Sequence, residues 1–318
     1  MWQAFLDHCL PDPEDQILLQ HWGGLALLQR NLPQVILLLT GTGGGGKGTV
    51  AGVIRRLVGD ENCSELRTQH LGTRFEAGLF HDKTLLIGAD VPPDFLSQDS
   101  SIFLKAMTGG DRIIAEFKGK REVKPMLGDW NVLVTANSRL KVNIQGDLGA
   151  WARRLLLLDF SQPKPATVIS HYDDVMMDKE GSGILNWFLV GAQSLRSVLQ
   201  SGKPFPVTLK QRARIDNLLS ESDSVRYFIT NHVQPSSMGA DTITRSELFE
   251  AYLQLCGARE WSPEPSKRFQ TRATDLMLEI HQSTVSQHLN RQNHDDGGDR
   301  GWIRVMLTGL HDLDSQGL

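Results

Sequence analysis

Apolar positions change their spacing three times along this chain, and each change predicts a different kind of element. Through residues 1–32, Leu18, Leu19, Trp22, Leu25 and Leu28 recur near a 3.6-residue period after a Pro-Asp-Pro-Glu start, which predicts a helical segment. Pro33 ends it. Residues 35–39, Val-Ile-Leu-Leu-Leu, then run without a polar break, the mark of a strand buried on both faces of a parallel sheet. Residues 83–88, 131–135 and 155–158 repeat that signal. Helical stretches are predicted at 50–58 and 100–107, the second stopped by Gly109-Gly110. Residues 113–123 alternate around Lys118-Gly119-Lys120, a hairpin signature. Strands alternating with helices predict an α/β fold, a core with a mostly parallel sheet.

Beyond Phe160 the pattern is different. Residues 184–199 read as a helix and 201–206, Ser-Gly-Lys-Pro-Phe-Pro, as a linker. From about residue 220 helices dominate, followed by a polar, glycine-rich turn at 293–301 and a strand at 302–307, an order that suggests a small α-rich, winged-helix-like domain. The expected organisation is an N-terminal helical segment (1–32), an α/β core (33–165), a helical lid and linker (166–206) and a C-terminal winged-helix-like domain (207–318). A length of 318 residues suits about two domains.

Composition narrows the classes. Hydrophobic residues at 40%, charged residues at 22% and a mean hydropathy of -0.25 describe an ordinary globular chain. A net charge of -4 excludes holding nucleic acid by bulk basicity, so any such contact must come from a local patch. Cys9, Cys63 and Cys256 show no metal-ligand or disulfide spacing, which fits a reducing compartment. The first residues lack a signal-peptide pattern, and the apolar runs are too short to cross a bilayer. The expectation is a cytoplasmic protein that meets no membrane.

The strongest chemical signal is Gly41-Thr42-Gly43-Gly44-Gly45-Gly46-Lys47-Gly48-Thr49, placed between a buried strand and a helix. Glycines let the backbone point its N–H groups inward, and with the helix N-terminus they make an anion site for nucleotide phosphates. Lys47 would reach the β- and γ-phosphates. The hydroxyl that usually follows the lysine is replaced by Gly48, so Thr49 would serve Mg²⁺ directly or through water. Asp90, closing the 85–87 strand, is the candidate second magnesium ligand. Asp94 is a weak candidate for activating water. Asn137, after its strand, suits orienting that water. Arg153 and Arg154 precede a buried strand, and one of them would project into a neighbouring subunit's site as an arginine finger.

In order along the chain, the 41–49 loop, Arg74-Phe75 leading to Lys83 and Asp90, Leu104-Lys105-Ala106-Met107-Thr108-Gly109-Gly110-Asp111, Asn137, and Trp151-Ala152-Arg153-Arg154-Leu155-Leu156 resemble superfamily three helicases of the poxvirus- and phage-type primase-helicase family. Ser222-Asp223-Ser224-Val225 and Leu248-Phe249-Glu250-Ala251-Tyr252 are similar to that family's C-terminal module. The resemblance implies an AAA+-like core, a homo-hexameric ring, ATP and Mg²⁺ as cofactors, and 3′→5′ movement on single-stranded DNA in the replication of a phage, prophage or other mobile element. It implies that Lys118, Lys120 and Arg121, at the hairpin tip beside Phe117, line the DNA channel. Only forty residues precede Gly41, too few for the family's primase domain, so a separate primase or host replication protein is the expected partner.

Downstream of residue 220, nine Lys/Arg stand against fourteen Asp/Glu from Glu221 on, which is not a basic footprint. Lys267, Arg268 and Arg272 share one helical stretch and suit phosphate contact, and docking of a protein suits it equally. Two other classes fit the loop: a nucleotide or small-molecule kinase, and a non-helicase AAA+ scaffold that recruits replication proteins.

Overall fold

The computed structural model describes residues 1–92, 95–96, 98–119, 121, 123–137, 140, 148–165, 167–236, 241–286, 289 and 300–308. Two compact units make up the chain, Met1–Leu219 and Ser220–Leu318.

In the first unit five strands form one parallel sheet. These are β1 (Ile36–Gly41), β2 (Cys63–Glu65), β3 (Leu85–Gly88), β6 (Asn131–Ala136) and β7 (Leu155–Phe160), in the order β2-β3-β6-β1-β7. Strand β1 is apolar from Ile36 to Leu39 because both faces are covered there. Leu37 and Leu39 face one core with α2 (Pro13–Leu27), α3 (Lys47–Val58) and α6 (Tyr172–Gln200). Ile36 and Leu38 face a second core with Leu104 and Met107 of α4 (Gln98–Gly109), Trp151 of α5 (Leu148–Arg154), and Ile215 and Leu218 of α7 (Leu209–Ser222). The buried Asn31 amide donates to the carbonyls of Val35 (2.8 Å) and Trp130 (2.9 Å), fixing where β1 and β6 begin.

The expected N-terminal helical segment is two helices, α1 (Trp2–Cys9) and α2. They part at Pro11, and Asp12 caps α2 by accepting from the Glu14 N–H at 3.0 Å, with Pro13 at the first helical position. Helix α2 lies backbone-to-backbone against α6. A Cβ on Gly24 would stand 2.3 Å from the Ala192 nitrogen, and one on Gly191 2.1 Å from the Gln20 carbonyl oxygen. Strand β2 gave no signal in the sequence, since three residues at a sheet edge carry too little periodicity. The hairpin extends beyond its expected end: β4 (Arg112–Glu116) pairs antiparallel with β5 (Val123–Leu127), and Gly119 turns between them with φ +78°.

The second unit contains α8 (Ser224–His232), β8 (Val233–Pro235), β9 (Thr242–Thr244), α9 (Arg245–Ala258), α10 (Ser266–His281), β10 (Gly301–Ile303) and β11 (Val305–Leu307). Its core is built around Phe228, Tyr252, Phe269 and Trp302. A reciprocal Thr244–Glu247 capping box starts α9. The single expected strand at 302–307 is two short ones, because Arg304 adopts φ +60° and breaks the ladder; β10 pairs with β9, and β11 with β8. The glycine-rich turn at 293–301 lies outside the described residues up to 299. Among the described residues no helix is long and apolar enough to cross a membrane.

Candidate functional site: a glycine-rich phosphate loop

The carboxyl ends of β1, β3, β6 and β7 share one edge of the sheet, where the predicted site residues converge. Gly41 closes β1, and the loop turns through Gly44 (φ +82°) and Gly46 (φ +102°), conformations that favour glycine. Close approach also demands glycine: a Cβ at Gly41 or at Gly45 would stand 2.3 Å from the Phe160 carbonyl oxygen. Gly48 is different, because a Cβ there would meet nothing within 4 Å. No steric demand of the fold therefore excludes a hydroxyl residue at that position.

Lys47 is the first residue of α3 and only 5% exposed. Its ammonium folds back onto the loop, donating to the carbonyls of Gly41 at 2.9 Å and Thr42 at 2.8 Å. Burial pushes its pKa down, while the carboxylates of Asp90 and Asp159 pull it back up. Among the described residues its hydrogen-bond acceptors are these two neutral carbonyls, at the N-terminus of a helix, where partial positive charge gathers. Thr49 sits two residues on in the same helix, half-buried.

Asp90 stands just past β3 with φ +47°, its N–H donating to the Thr135 hydroxyl at 2.9 Å. Because β6 lies between β1 and β3, the residue after β6 falls between the loop and the acid. That residue is Asn137, whose amide donates to Asp90 Oδ1 at 2.5 Å, while its Oδ1 would be 3.9 Å from a Cβ on Gly43. The structure thus brings together the 41–49 loop, Lys47, Asp90 and Asn137, residues separated by up to 96 positions in sequence. Asp94 lies outside the described residues.

The two arginines at the end of α5 part company. Arg154 is 7% exposed and donates to the Ala150 carbonyl at 3.1 Å. Its Nη2 lies 3.5 Å and Asp111 Oδ2 3.7 Å from the position of a Cβ on Gly109, so it is turned inward onto the end of α4. Arg153 is exposed.

At the hairpin tip Lys118 and Arg121 are exposed, and Lys120 lies outside the described residues. Phe117 is not part of a free tip. Its ring meets His81 edge-on at 5.6 Å, with the Lys124 ammonium 5.8 Å from its centroid. In the second unit Arg272 is held by the buried Asp223 carboxylate at 2.6 Å, and Arg268 by Glu264 at 3.4 Å. Two of the three cations expected to meet phosphate there already have anionic partners.

Two residues of this edge were not anticipated. Asp159, on β7, lines a cavity of about 410 Å³ together with Thr40, Gly41, Asn137 and Arg214. An acid ending an apolar run is the same signal that singled out Asp90, and it was readable at Asp159. Arg214 gave none: it arrives from α7, where Asp15 holds its Nη1 at 2.9 and 2.7 Å.

A parallel sheet with a glycine loop between β1 and α3, a buried loop lysine and an acid on a neighbouring strand define an α/β, P-loop-like core. A family of unknown function (DUF5906) matches residues 39–154, a stretch that runs from the loop strand through Arg154 and contains the hairpin. A search among curated proteins finds no match. The A-form apo structure of the NrS-1 C-terminal region is similar at 14% identity with a TM-score of 0.50, over 96% of this chain and 75% of that chain. A further apo structure of that region (residues 305–718) gives 14% and 0.48, over 96% and 75%. A JCV helicase with a bound thiazolopyridine compound gives 15% and 0.30, over 66% and 61%. The first of these likenesses extends the shared fold along nearly the whole chain.

Proposed function

We propose that this protein is an ATP-driven DNA helicase or translocase that works as a hexameric ring in the replication of a phage, prophage or other mobile element. The observation that carries the reading is the buried Lys47 ammonium in its glycine loop, faced by the bonded Asp90–Asn137 pair. In this reading the loop N–H groups and Lys47 hold the ATP phosphates. Thr49 and Asp90 hold Mg²⁺, which would neutralise charge on the phosphates, and Asn137 orients the attacking water. Arg153, exposed at the end of α5, is favoured over the inward-turned Arg154 as the finger reaching the next subunit's ATP. Lys118, Lys120 and Arg121 grip single-stranded DNA through salt-screened phosphate contacts, weak enough to release at each step. By resemblance the movement is 3′→5′ and the partner a separate primase or host replication protein, in the cytoplasm of the host cell.

The test is ATP turnover with and without single-stranded DNA. Stimulation by DNA, lost in the Lys118→Ala, Lys120→Ala double variant together with DNA binding and unwinding, is the expected result. A monomeric wild-type protein that phosphorylates a small molecule and ignores DNA would favour a kinase instead. For the finger, Lys47→Ala chains mixed with Arg153→Ala chains should regain turnover that neither has alone, because some mixed interfaces then carry both intact parts. No recovery at any ratio, with mixed rings shown to form, removes Arg153 from that role.

A further inference from the structure

Residues 160–164 leave β7 and track along the glycine loop. The Phe160 carbonyl lies against Gly41 and Gly45, and Lys164 lies against Gly44, where a Cβ would come within 2.5 Å of Lys164 Cε and 2.9 Å of its Cδ. Pro163 and Pro165 flank that lysine and restrict the backbone on either side of it. The Pro163 carbonyl is tied to α1 by His8 Nε2 at 3.1 Å. The lysine stem therefore rests on the loop backbone with its ammonium one bond beyond Cε.

Lys164 is exposed, so its ammonium is open to a ligand arriving from solvent. The N-terminal end of α3 carries partial positive charge, and the Lys47 ammonium is already bound there. A chain that stacks two lysines and a helix N-terminus on one loop offers charge for a polyanion. We infer that Lys164 is a second phosphate-binding cation of the loop site, closing over the β- and γ-phosphates of a nucleoside triphosphate held on the loop. This rests on the nucleotide reading proposed above. The glycine at position 44 then has two reasons: its backbone angle, and the need to let a lysine stem pass.

Three chains test it by calorimetric binding of ATP, ADP and AMP at low and high salt: wild type, Lys164→Met and Lys164→Arg. Methionine keeps an unbranched stem and removes the charge; arginine restores the charge. Lys164→Met is expected to weaken ATP binding about tenfold, with a smaller effect on AMP and a smaller effect at high salt, and Lys164→Arg to recover most of the loss. Equal thermal midpoints without nucleotide exclude damage to the fold as the cause. Unchanged or tighter ATP binding in Lys164→Met would show that the side chain only covers or obstructs the loop, and would overturn the assignment. Equal losses in both variants would assign the stem and not the charge, and would also overturn it. A wild-type chain that binds none of the three nucleotides is a different failure, that of the nucleotide site itself.

Discussion

Lys47→Ala is expected to lower ATP turnover at saturating ATP by about 10²–10³-fold, the loss typical of removing one preorganised donor from a developing charge. The cost to the fold should be small by comparison. The ammonium is desolvated and its pKa depressed, so deleting it relieves burial of a charge while leaving only the Gly41 and Thr42 carbonyls without that partner. Circular dichroism and the thermal midpoint should therefore stay close to wild type while turnover collapses. Turnover at the wild-type rate would remove the loop from the chemistry and leave Asp90 and Asn137 as an ordinary strand-end hydrogen bond.

The largest expected effect on stability lies far from the loop. Gly191→Val should destabilise the first unit by about 3 kcal/mol or more, because its side chain would have to enter the backbone of α2 at Gln20 and push two helices apart. For a unit of this size that corresponds to a drop of roughly 6–12 °C in thermal midpoint. Gly183 provides the matched control on the same helix: a Cβ there meets nothing within 4 Å, so Gly183→Ala should raise stability by about 0.5–1 kcal/mol through helix propensity alone. Equal effects at the two positions would mean that α2 and α6 do not depend on the close approach.

What could be read beforehand divides along physical lines. Strands β1, β3, β6 and β7 were legible because the stretch of a strand covered on both faces is a continuous apolar run, a signal needing no partner to interpret. The loop was legible because φ above zero and close approach to Phe160 leave glycine little competition. Asp90 and Asn137 were legible as strand-end residues, but their mutual bond was not, since it depends on β6 lying between β1 and β3, an order set by long-range packing. Strand β2 and the break at Arg304 were illegible for a different reason: three-residue strands owe their existence to neighbours. Phe117 looked like part of a DNA-facing tip and instead packs on His81, because aromatic surface buries wherever a nearby ring allows.

The strand order also governs how the chain can be made. Ile36 pairs with Val132 on one side and Leu155 on the other, so β1 leaves the ribosome long before either partner exists. Until residue 136 has been synthesised, the Val-Ile-Leu-Leu-Leu run has no sheet neighbour, and until residue 160 the loop after it has no Phe160 carbonyl to lean on. Helix α2 waits longer still, for α6. Pairings this distant in sequence are slow to close and leave aggregation-prone apolar segments uncovered meanwhile. The loop edge of the sheet is therefore complete only once residue 160 has been made, more than a hundred residues after the loop itself.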